Sequence, residues 1–257
     1  MEESSTKIPD RLDGPDGLSI RRWLALYAAW LLALGLPALW MLRRTGVAWQ
    51  ELFVHPGQFT TPADGVLKLL IFGFYISLCC TFLPLPTGWL VSALAMRDVA
   101  LTASLTMTTL TIAGIGAAAS TVANLHDYHL FTWMLRHHRI ARLRDTRLVH
   151  ASGRWFARQP FAILVVFNII PIPIDVIRML AATARYPLGP FAAANFIGRW
   201  VRYAVIAAVT YLMGDRGWLI SVALLAVAVV GGLARLVARR LARRGGSGTG
   251  GRDAATM

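Results

Sequence analysis

The chain has 257 residues, of which 56% are hydrophobic and 15% charged, with a mean hydropathy of +0.54 and a formal net charge of +13. Soluble domains run at about 45–50% apolar and about 25% charged, so the composition argues against an ordinary soluble enzyme and for an integral membrane protein. The basic residues lie between apolar runs, which makes lipid headgroups rather than nucleic acid the anionic partner they imply.

The first apolar run, 23–42, is flanked by Arg21-Arg22 and Arg43-Arg44 and predicts a membrane-anchored helix. Residues 45–65 carry Gly46, Pro56, Gly57, Pro62 and Gly65 and read as a loop. The apolar stretch 67–96 is broken by Pro84, Pro86 and Gly88. Proline removes a backbone donor and clashes with the preceding turn, so this stretch is not one straight span. A run at 99–123, rich in Ala, Gly, Ser and Thr, predicts a span suited to close helix approach. It ends in the polar sequence His126-Asp127-Tyr128-His129.

Residues 136–158 hold seven arginines against one acid, Asp145. Stretch 161–184 is apolar but broken by Pro171 and Pro173, with Asp175 and Arg178 just beyond. A span at 187–213, a turn at Asp215-Arg216-Gly217 and a last span at 218–234 complete the apolar segments. The tail is Arg- and Gly-rich and reads as disordered.

Charge sets the expected topology. The positive-inside rule places both the 136–158 loop and the basic tail in the cytoplasm. That requires an even number of crossings between them, so 161–184 dips in and returns while 187–213 and 218–234 cross. The same logic upstream makes 67–96 a second dip, from the opposite face. The expected fold is therefore all-α and polytopic: an inverted repeat with two Pro-broken re-entrant hairpins and about four full transmembrane helices. Its parts are a cytoplasmic segment (1–21), the first helix and loop (22–66), a membrane domain (67–214), the last helix (215–234) and the tail (235–257). Discontinuous helices meeting near the midplane mark secondary transporters, because irregular backbone survives there only beside protein or a watery cavity.

Polar residues inside the spans are the candidate site. Arg199 and Arg202 share a helix face at i, i+3, and Arg199 falls near mid-bilayer. Asp175 and Arg178 share the same spacing in the second hairpin, near Asn168. Asp175 is the carboxylate expected to offset these arginines. The group reads either as guanidinium groups holding a lipid phosphate, with Asp175 balancing charge, or as an ion pair that locks the hairpin to the next helix. His126, Asp127 and His129 lack the spacing and ligand number of a zinc site and read as an interfacial polar patch. Cys79 and Cys80 are adjacent and read as buried thiols. No G-x-S-x-G, P-loop or G-x-G-x-x-G motif occurs where it would carry chemistry, so no catalytic residue, metal or cofactor is expected.

Four stretches together resemble the DedA family, also called VTT-domain or SNARE-associated Golgi proteins. They are F-L-P-L-P-T-G at 82–88, N-I-I-P-I-P-I-D-V-I-R at 168–178, R-Y-P-L-G-P-F at 185–191 and N-F-I-G-R-W-V-R-Y at 195–203. The resemblance covers roughly residues 67–214 and is stronger in the second half. It implies a polytopic protein with two re-entrant hairpins that moves lipids such as undecaprenyl phosphate or phospholipids and serves envelope homeostasis. The chain departs from the family in having Ser77, Cys79 and Cys80 where an acidic residue commonly precedes the first hairpin. It also has Asn168 and Ile174 at the hairpin arginine positions.

The expectation is a multi-pass protein of a cell membrane, of bacterial inner-membrane type, with both termini cytoplasmic. It moves a phosphate-bearing lipid between leaflets, its partners being membrane lipids such as anionic phospholipid or polyprenyl phosphate. The alternatives are a non-transporting scaffold that uses the 136–158 arginines, or a proton-coupled carrier of a small solute.

Overall fold

The computed structural model describes residues 20–46, 61–80, 87–96, 104–134, 156, 158–170 and 175–220, with isolated positions at 222, 223, 226 and 230. Helices account for nearly all of them, and no strand occurs among the described residues. They are α1 (Ile20–Thr45), α2 (Pro62–Cys79), α3 (Gly88–Ala95), α4 (Leu105–Met134), α5 (Pro160–Ile169), α6 (Asp175–Thr183) and α7 (Leu188–Met213), followed by a 3-10 turn at Gly214–Arg216. Four of them, α1, α2, α4 and α7, are long and apolar enough to cross a membrane. Three match the expected spans 23–42, 99–123 and 187–213. The fourth, α2, lies in the stretch read as a hairpin, while the expected span 218–234 falls mostly outside the described residues.

Helix ends correct two sequence expectations. The predicted loop 45–65 stops short, because α2 begins at Pro62. Thr61 caps it: its Oγ1 accepts from the Asp64 backbone N–H, and the Asp64 carboxylate accepts from the Thr61 N–H at 3.0 Å. This reciprocal pair satisfies two of the donors a helix start leaves open. At the other end of the bundle, α4 does not stop at the polar sequence after residue 123 but runs through it to Met134. Gly88, expected as part of the first break, is the first residue of α3. Pro84, Pro86, Pro171 and Pro173 lie outside the described residues.

Contacts between side chains give each helix a direction. On α1, Tyr27 donates to the Ser77 carbonyl, Gly35 faces Phe74 and Ala38 packs with Leu67, so α1 and α2 are antiparallel. Gly116 of α4 sits against both Phe72 of α2 and Tyr203 of α7. Nearer the end of α4, Asn124 bonds Asn195, so α4 and α7 are antiparallel. Cys80 and Asp127 share one donor, Arg178, so α2 runs in the same direction as α4. The end of α2 is thus level with Asp127, about 10 Å before α4 ends at 1.5 Å per residue.

The short helices follow from this frame. At 8, 10 and 9 residues, α3, α5 and α6 are about 12–15 Å long, half the thickness of a hydrocarbon core of about 30 Å. Thr87, before α3, lies beside Tyr203 in the middle of α7, and Ser92 bonds Thr210 at 2.9 Å near its end. α3 therefore climbs back toward the level where α2 starts. In the second broken segment, Ile163 and Leu164 pack with Phe191 and Ala194, and Asn168 reaches Gly198, so α5 runs alongside α7. Phe156 before α5 and Tyr186 after α6 meet edge to face at 6.0 Å, and the Tyr186 carbonyl accepts from Tyr128. The second segment starts and finishes at one level.

α6 reverses into α7 in four residues. The Tyr186 N–H bonds the Ala181 carbonyl and the Arg185 N–H bonds the Ala182 carbonyl, the double closure of a Schellman motif. Arg185 takes the left-handed conformation (φ 50°) that this motif usually gives to glycine, and Pro187 follows. Lipid is as apolar as leucine, so helix association in a membrane relies on close packing and hydrogen bonds. Gly198 supplies one such approach: a Cβ there would stand 2.5 Å from Asn168 Cβ and 2.7 Å from the Val165 carbonyl oxygen. Leu32, Leu36, Val205 and Leu212 face outward, an apolar surface suited to acyl chains.

Candidate functional site

The ends of both broken segments come together against the middle of α7 and the second half of α4. Cys80 at the end of α2 and Thr87 at the start of α3 flank the first break, while Asn168 on the last turn of α5 and Arg178 on the first turn of α6 flank the second. Each is buried and each touches a polar group of another element or of its own helix.

Arg199 lies about 17 Å along the 26 residues of α7, near the centre of a helix about 39 Å long. It is 5% exposed. Its Nε donates to Asn168 Oδ1 at 3.2 Å and its Nη1 to the Tyr203 hydroxyl at 3.2 Å. Asn168 is aimed by its own Nδ2, which donates back to the Leu164 carbonyl one turn earlier. Both acceptors are neutral groups, and together they fix the orientation of the guanidinium. Arg202, one turn on, is partly buried and has no hydrogen-bond partner among the described residues. It lies near Arg199 and Cys80. Two like charges in one low-dielectric region favour an anion between them.

Arg178 is different. Its Nη1 donates to Asp127 Oδ2 at 2.8 Å, a buried salt bridge, and to the Cys80 carbonyl at 2.8 Å. The sequence reading assigned the offsetting carboxylate to Asp175. For Arg178 that role belongs to Asp127, from a helix 51 residues away in sequence. Asp175 opens α6, but its side chain lies outside what is described.

The expected interfacial patch at 126–129 is also corrected, because His126, Asp127 and His129 are all buried. His126 stacks on Tyr27 with centroids 4.2 Å apart, and His129 on Trp23 at 3.9 Å. With Trp30, which donates to Ser77 Oγ, these form a stripe down α1 at spacings of four and three residues. That spacing was readable in the sequence; the partner it faces was not. Lys68 on α2 is another buried charge that sequence reading passed over, with Asp64 one turn before it. Among the described residues no group of three or more His, Cys, Asp or Glu is placed to hold a metal ion.

Of the predicted site residues, Asn168 and Arg199 are in direct contact, Arg202 is their neighbour, and Arg178 stands across Cys80 from them. Residues 94–212 match the VTT domain family, a span running from the end of α3 to the end of α7. Searches of curated proteins and of solved structures return no match. The all-helical fold, its long apolar helices and this match agree with one another: the chain is a membrane protein whose residues 94–212 carry a VTT domain, the domain of the DedA or SNARE-associated Golgi group.

Proposed function

We propose that this protein moves a phosphate-bearing lipid between the leaflets of a cell membrane and so serves membrane homeostasis. The headgroup is received at Arg199 and Arg202. The observation that carries the reading is the placement of two arginines together near the middle of α7: Arg199 is oriented by Asn168 and Tyr203, with Arg202 beside it. A buried guanidinium is costly in a membrane unless it faces a partner or water, and phosphate suits its planar fork.

In this reading the two broken segments are re-entrant hairpins of an inverted repeat that enter from opposite faces. Their short helices and the levels of their ends support it: α3 climbs toward the start of α2, and Phe156 meets Tyr186. The 136–158 loop and both termini are cytoplasmic by the distribution of arginine. The proposed ligand is an anionic phospholipid or a polyprenyl phosphate. No catalytic step, cofactor or nucleic acid enters the proposal.

The test is headgroup accessibility in liposomes. Purified protein is reconstituted with a trace of fluorescent phosphatidic acid or polyprenyl phosphate, and inner-leaflet label is followed by quenching from outside. Loss of protection relative to protein-free liposomes supports the reading. Full protection from well-folded protein, with function in cells lost only when the 136–158 arginines are neutralised, would replace it with the scaffold.

A further inference from the structure

Arg178 stands where the two broken segments meet. It is 3% exposed, belongs to α6, and bonds two other elements through one nitrogen: the Cys80 carbonyl, at the C-terminal cap of α2, and Asp127 on α4. That carbonyl is among those a helix leaves open at its C-terminal end, where the dipole is negative, so a guanidinium is a fitting partner. Cys80 also faces the candidate site, because Arg202 and Tyr203 lie near its thiol. One residue at the tip of the first segment therefore touches the second segment through its backbone and borders the lipid site through its side chain.

We propose that Arg178 is a lock between the two broken segments, fastened by Asp127 and released when an anionic headgroup at Arg199 and Arg202 draws its guanidinium away from that carboxylate. The proposal rests on the lipid-phosphate reading of α7. Phosphate and carboxylate are alternative partners for the same planar fork. A ligand shifts a conformational balance only by its different affinity for the two states, and a phosphate that gains Arg178 only in the released state supplies that difference. Release frees the end of α2 from α6 and uncovers Cys80. While fastened, the lock keeps a guanidinium and a carboxylate at 2.8 Å, both side chains 4% exposed.

The chain's two cysteines are adjacent, so Cys79→Ser leaves Cys80 as a single reporter thiol at the lock itself. The Cys79→Ser protein is placed in nanodiscs of phosphatidylcholine, with and without phosphatidic acid, and Cys80 labelling by a membrane-permeant maleimide is timed by mass. The parent should label slowly in phosphatidylcholine and about tenfold faster with phosphatidic acid. Asp127→Asn/Arg178→Met removes both charges together, which a buried pair tolerates better than loss of one. It should melt near the parent and label fast in both lipids. Should it fail to fold, Arg178→Lys, which keeps the charge but not the fork, serves instead and should label faster than the parent in phosphatidylcholine. A folded variant whose Cys80 is as protected as in the parent overturns the lock. A fast-labelling variant beside a parent that ignores phosphatidic acid overturns release by phosphate, whereas the reading of Arg199 and Arg202 as a phosphate site falls only if the parent also fails to move phosphatidic acid in the quenching assay.

Discussion

Arg178 and Arg199 are both buried, both sit beside a broken segment, and differ in what they hold. Arg178 bonds a carboxylate and a helix-end carbonyl; Arg199 bonds an amide and a phenol. Paired with a carboxylate, a guanidinium makes a contact that resists disturbance, because either partner alone is left as a buried charge. Bonded by an amide and a phenol, Arg199 is held in one orientation near the middle of α7. In the proposed reading the first surrounding makes a lock that fastens two segments, and the second receives the headgroup that releases it.

The sharpest way to break this contrast is Asp127→Asn. With the buried carboxylate neutralised, the protein should lose about 3–5 kcal/mol, read as a lower midpoint of thermal unfolding in detergent. The double change Asp127→Asn/Arg178→Met should recover most of that loss. Equal destabilisation in single and double variants would show that the pair is not the source.

Gly198→Ala should act on the other side. The added Cβ meets Asn168 Cβ at 2.5 Å and the Val165 carbonyl at 2.7 Å, and backbone cannot move aside cheaply. Overpacking of this kind costs about 1–3 kcal/mol. It also pushes Asn168 off Arg199, so lipid movement should fall further than stability does. Wild-type movement in that variant would separate Asn168 from the site.

Asn124→Ala removes the Asn124–Asn195 bond that ties α4 to α7 between the two arginines. Interhelical bonds of this kind are worth about 0.6 kcal/mol on average and about 1.7 at most, so the melting midpoint should move little and evenly across lipids. The smallest effect is a gain. Arg185→Gly relieves a left-handed backbone at the α6–α7 turn and should raise stability by up to about 1 kcal/mol without altering lipid movement.

Much of this arrangement is legible from sequence because membranes impose strong rules. Apolar length located α1 and α7, and the paired prolines fall between α2 and α3 and between α5 and α6; the re-entrant hairpins and the sidedness read from arginine belong to the proposal. The α2 start was legible too: Thr61-Pro62-Ala63-Asp64 is a capping box, outweighed in the reading by the glycine and prolines around it. Asp127 was misplaced for a physical reason. Beside two histidines at the end of an apolar run, it has the local signature of a membrane surface, and only the tertiary approach of α6 and α1 buries it. Sequence spacing pairs charges along one helix; it does not pair Asp127 with Arg178.

The central claim is that Arg199 serves a lipid phosphate rather than the fold. Its most direct test is the quenching assay on Arg199→Gln against wild type, at matched amounts of protein with matched melting midpoints. The variant should keep its fold and lose the movement of phosphatidic acid. Movement at the wild-type rate would contradict it.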